Sequence, residues 1–279
     1  MNSLFIFTIA LLFVVSAAFK VTPNRISSRA TMSMTSSGLH SRRDVLAKSL
    51  LAGAALAGGL PGPSHAASLT KVNNELRNQG LPPLVQVPEG LTPLLEVYGK
   101  VKTDPSISSV ARERYLVQFC HPSLWVVQRP SITINGEDGT VAAGDYQKGD
   151  SATLYVGNPL PAGAKLSEQK KDFFEQVVLE GITQKGDNMY QNLKVKKVVP
   201  LADGYKGAQY MMVDFKYELV TGAGFTVDRS AVAVVTAVGK NTQALIMATT
   251  DKRYKKLETV FRDMAGTFKV YDNILYGDI

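Results

Sequence analysis

A chain of 279 residues, 45% hydrophobic and 20% charged, is long enough to bury a sizeable core without covalent or metal staples. Its one cysteine, Cys120, excludes an intramolecular disulfide and the usual thiolate zinc sites. The formal charge of +7 speaks for no nucleic-acid partner, because the first 66 residues hold six basic side chains against one acid and leave the remainder at about +2.

Residues 4–18 (LFIFTIALLFVVSAA) are apolar and uncharged. A bilayer span takes roughly 20 such residues, so the run suits a signal peptide over 1–18 that is cut after Ala18, with a one-pass anchor as the alternative. Residues 19–40 contain Ser, Thr and Arg but no acid, which is transit-peptide composition. The joint at Ala18-Phe19 resembles the cleavage motif of bipartite leaders in algae with secondary plastids. Residues 41–66 open on Arg42-Arg43, continue through an Ala- and Gly-rich apolar core and end at Ala66-Ala67. They resemble a twin-arginine thylakoid signal. A membrane helix there is disfavoured by Gly53, Gly58 and Gly59.

Residues 67–110 are expected to form an N-terminal arm, and residues 111–279 one domain. In the arm, Leu69, Val72 and Leu76 predict a short helix over 68–79, stopped by Gly80 and Pro82. Four prolines between 80 and 93 then predict extended chain with one helical turn at 94–98. In the domain, strands are predicted at 115–119, 125–127 and 151–156, with a turn-rich loop at 135–139. A helix starts near Ser167 and carries Phe173, Val177 and Ile182, followed by a strand at 194–199. Residues 208–219 and 225–238 flank Thr221-Gly222-Ala223-Gly224 as a long hairpin that puts Met211, Val213, Phe215, Tyr217 and Leu219 on one face. A turn at 239–242 leads to a strand at 244–248, making a three-stranded meander. Asp251 is expected to cap a helix whose Leu257, Val260, Phe261 and Met264 form one apolar stripe. A strand at 268–271 closes the domain. Hairpins with helices between the groups argue for α+β: an antiparallel β-sheet covered by helices.

Catalytic chemistry finds little to work with. His40 and His65 fall in the leader, leaving His121 beside Cys120, and neighbours on a strand face opposite ways, so a Cys/His dyad is not expected. Cys120 reads as a buried thiol, Trp125 as core and His121 as a surface or strand-edge residue. Glu137, Asp138, Asp145 and Asp150, with His121, are the weak candidates for a metal such as calcium, against the plainer reading of a solvated loop. Lys252, Arg253, Lys255 and Lys256 crowd the polar side of the last helix and are the candidates for docking on an acidic partner. The chain is therefore expected not to be an enzyme.

The string Ala248-Thr249-Thr250-Asp251-Lys252-Arg253-Tyr254-Lys255-Lys256-Leu257-Glu258, with Phe268 and Val270 after it, resembles the closing strand, helix and ending of the PsbP family. Pro122-x-x-Trp125 is similar to that family's motif after its first strand. Tyr254 stands where the family often has Trp, and Arg114-Tyr115 where it has Gly-Phe. These departures favour a divergent PsbP-like protein over the water-oxidation subunit itself. The resemblance implies an α/β/α sandwich and a lumenal, membrane-peripheral accessory or assembly role at photosystem II or another thylakoid complex, with no transmembrane span in the mature protein. For the subunit proper it also implies help in retaining calcium and chloride. A small-ligand carrier or unrecognised enzyme on the same fold is the remaining alternative, and would show a pocket of converging polar groups.

Overall fold

The computed structural model describes residues 65–99, 114–133, 136–184, 189–272 and 274. The leader expectations over residues 1–64 lie outside these. Helix α1 (His65–Asn78) begins the described chain, with Val72 and Leu76 buried as their spacing predicts. It starts three residues earlier than expected, so Ala66-Ala67 falls in its first turn.

The expected helical turn at 94–98 is instead strand β1 (Leu91–Tyr98), paired antiparallel along its whole length with β2 (Tyr115–Pro122). Backbone ladder bonds and the burial of Leu91, Leu94 and Val97 outweigh the prolines, and Pro93 is tolerated because β1 is an edge strand. Residues 91–98 are thus tied into the sheet rather than forming a free arm. The strand expected at 125–127 is β3 (Val126–Gln128). The expected loop at 135–139 contributes half of a short hairpin, β4 (Ser131–Thr133) with β5 (Gly136–Asp138). Next come β6 (Ala142–Asp145), β7 (Asp150–Val156) and α2 (Lys171–Thr183); Ser167, where that helix was expected to start, lies in a preceding single turn of 3-10 helix.

The three-stranded meander follows as predicted, in β9 (Tyr210–Val220), β10 (Thr226–Val238) and β11 (Asn241–Thr250), while the strand expected at 194–199 is the longer β8 (Met189–Pro200), which pairs with β9 and adds a fourth strand at its edge. The β9–β10 turn closes with Gly224 at φ 80°, a left-handed value that a side chain would strain. Strand β7 pairs with β11, giving a seven-stranded antiparallel sheet of order β3-β6-β7-β11-β10-β9-β8. Edge strand β8 loses register with β9 twice, between Gln191 and Lys194 and between Val195 and Lys197, and Asn192 has φ 52° at the first of these bulges. Helix α3 (Asp251–Thr267) leads to β12 (Lys269–Tyr271), which completes a small sheet of order β1-β2-β12.

Residue alternation sorts side chains onto the two faces of the large sheet. Phe215, Ala233 and Ile246 meet α2 through Phe174 and Val178. On the opposite face Val232, Leu245 and Met247 meet α3 through Phe261 and Met264, and meet the small sheet through Val117, Phe119 and Val270. Helix α1 covers the outer side of the small sheet through Val97, Leu116 and Tyr271. The fold is α+β, an antiparallel sheet with helical cover on both faces. Among the described residues no helix is long and apolar enough to cross a membrane.

Candidate functional site

The β11–α3 junction carries the residues singled out from sequence. The capping role expected of Asp251 is not observed: Thr250 occupies the cap position without a side-chain cap bond, and Asp251 is the first helical residue. Its carboxylate instead accepts from the Lys216 ammonium and from the Ser230 hydroxyl at 2.5 Å. Those two donors hold the Asp251 carboxyl below the usual carboxylate range.

Arg253 separates from the lysines around it. Its guanidinium reaches back to Asp150 at the start of β7, with Nε donating to Oδ1 at 3.0 Å and Nη2 to Oδ2 at 2.7 Å. Thr249 Oγ1 donates to the same Oδ1 at 2.6 Å, and the Asp150 side chain is 2% exposed. A buried carboxylate held in this bidentate way is a structural fastening between sheet and helix. Asp150 is therefore not a free oxygen ligand, and Arg253 not a free docking cation. Lys252, Lys255 and Lys256 remain exposed. A lysine-rich patch is thus presented at the start of a helix that Arg253 pins in place.

The other metal candidates scatter. Asp145 is engaged by Lys148, whose ammonium holds the carboxyl below its ordinary range. Glu137 and Asp138 lie on β5, and their side chains lie outside the described residues. His121, expected at the surface or a strand edge, is buried to 5% exposure, its Nδ1–H donating to the Pro122 carbonyl at 2.9 Å. Seven of the eight β2 residues are buried, so the central strand of the small sheet is covered on both faces. Burial lowers the His121 pKa from 6.5, which favours the neutral ring. Among the described residues no three His, Cys, Asp or Glu side chains group to hold a metal ion.

Cys120 is buried, as expected. Its backbone N–H donates to Thr267 Oγ1 at 2.8 Å, and Thr267 donates in turn to the Met264 carbonyl at 2.8 Å. This threonine joins the end of α3 to the small sheet.

A cavity of about 210 Å³ opens on the α2 face, which sequence reasoning did not anticipate. Tyr217, Tyr190, Ile246 and Ala248 form its walls and Arg229 its charged group. Arg229 is 9% exposed, and its buried Nε has no hydrogen-bond partner. The signal available in the sequence was positional: Arg229 shares the alternation of Ala231, Ala233 and Val235, whose face is apolar.

No family model matches the chain, and no curated protein matches it. Among solved structures, the solution structure of cyanobacterial PsbP (CyanoP) from Synechocystis sp. PCC 6803 aligns at 16% identity and a TM-score of 0.38, covering 69% of this chain and 99% of that one.

Proposed function

We propose that the chain is a non-enzymatic accessory or assembly factor that docks on the lumenal face of photosystem II or another thylakoid complex. The observation that carries this reading is the β11–α3 junction. The stretch whose sequence resembles the PsbP family presents Lys252, Lys255 and Lys256 to solvent while Arg253 anchors their helix to Asp150. Surface ion pairs contribute about 0–1 kcal/mol each and are screened over about 10 Å at 0.1 M salt, so attachment is peripheral and reversible. Delivery to the lumen rests on the sequence of leader segments, cut at Ala66-Ala67 after twin-arginine transport.

Native-gel immunoblotting of thylakoids tests the partner. Co-migration with photosystem II, lost together with membrane retention after a high-salt wash, is the expected result. Retention through that wash, or an Lys255→Glu, Lys256→Glu variant that stays bound, would refute docking through α3. Oxygen evolution in calcium-depleted and chloride-depleted medium separates the alternatives: an extrinsic subunit proper restores it, whereas an assembly factor does not. N-terminal sequencing of the plastid protein is expected to begin at Ala67. An Arg42→Lys, Arg43→Lys variant is expected to miss the lumen.

A further inference from the structure

We infer that the cavity at Arg229 is a binding site for a small carboxylate carried on a compact apolar body. Three observations converge on this, none of them used by the docking face. Arg229 is the charged side chain on the face of β10 that also carries Ala231, Ala233 and Val235, and no described carboxylate pairs with it. Asp150 lines the same cavity, but β7 alternation sends its carboxylate to the opposite face of the sheet, where Thr249 and Arg253 hold it. The guanidinium meets the Tyr217 hydroxyl, a neutral partner, while its buried Nε lacks an acceptor, a costly arrangement for a charge removed from water.

The surroundings define the ligand. Gly149 sits at φ 72°, and a Cβ there would come within 3.3 Å of Arg229 Nη1, so a glycine turn closes over the guanidinium. Tyr190 and Tyr217 lie 5.8 Å apart between ring centroids, and Leu219, Ile246 and Ala248 supply aliphatic wall. Ser151 and Thr153 lie on the same side of β7 and bring hydroxyls to the lining. One cation facing apolar walls matches one carboxylate, whose two oxygens suit the planar guanidinium fork; a phosphoryl dianion would call for more donors. The cavity volume lies below the roughly 300–1,000 Å³ of drug-sized sites, so the body is compact. Gly181, Ile182 and Gln184 from the C-terminal turn of α2 close the remaining side of the cavity.

The test titrates the full chain with benzoate, with the neutral isostere benzamide and with inorganic phosphate, followed by ring and methyl NMR shifts. Benzoate is expected to saturate with a Kd of about 1 mM or tighter, moving Tyr190, Tyr217 and Ala248 together. Benzamide is expected to bind at least about tenfold more weakly, and Arg229→Gln to lose the benzoate response while Arg229→Lys retains part of it. Equal binding of benzamide, a response to phosphate alone, or shifts outside this cavity would overturn the proposal. The isostere comparison uses the unaltered protein, so it decides the matter even where Arg229→Gln fails to fold.

Discussion

At the scale of single residues, burial pushes the Cys120 thiol up from 9.0 to about 11. Above pH 9 the unfolded chain releases this proton and the folded chain does not. The contribution is therefore fully present below pH 9 and is lost as pH climbs toward 11, by about 2–3 kcal/mol in all. Buried Tyr210 and Tyr217, also pushed upward, add to the alkaline loss from pH 10. Urea melts of the parent and Cys120→Ala between pH 8 and 11 isolate the thiol: the gap between the two should narrow as pH rises. Trp125 is 8% exposed, with its ring edge-on to Phe261 at 6.4 Å between centroids. Trp125→Ala should cost about 3–5 kcal/mol in the same assay. An unchanged midpoint would mean that the indole lies exposed in solution. Both burials were legible, because Cys and Trp belong inside by composition. His121 and Arg229 were not, because the burial of a polar side chain depends on which partners the fold brings to it.

At the scale of elements, the sheet–helix fastening separates two roles within one lysine-rich string. Arg253→Ala strands the Asp150 carboxylate and should cost roughly 2–3 kcal/mol, below the full buried-pair value because the guanidinium is about a third exposed. Reversing Lys255 and Lys256 to Glu should leave the urea midpoint within about 0.5 kcal/mol of the parent, since neither lysine has a described ion pair. The two substitutions distinguish fastening from docking. Similarly, Gly144 on β6 faces the Asp150 carbonyl so closely that a Cβ would lie 2.5 Å from it. Gly144→Ala should therefore destabilise by about 1–3 kcal/mol, and amide exchange should quicken first along β6 and β7. The long hairpin and α3 were legible from their periods of two and 3.6. Strand β1 was not, because prolines mask a strand whose pairing partner is more than a dozen residues away. The Asp150–Arg253 pair spans 103 residues, and local spacing carries no trace of it.

At the scale of the whole molecule, the meander and its helical cover followed from sequence, while the division into two main sheets did not. That division depends on β7 pairing with β11 and on β12 returning to β2, contacts between distant segments. Among the described residues the large sheet is open at both ends, and its two rims differ. One ends on β3, only three residues long. The other is β8, twelve residues of exposed ladder, and the two bulges there coincide with exposed Lys194, Lys196 and Lys197. A flat rim of that length is a template onto which another molecule's strand can add. The bulges bend the rim away from a straight partner, and the ammonium groups repel an identical rim brought against it. Deleting Lys196, which removes one bulge, together with Lys197→Val, should leave the core intact yet yield a protein that scatters light and binds thioflavin on standing, where the parent does not. The irregular pairing of β8 thus acts as a guard against self-assembly at high local concentration.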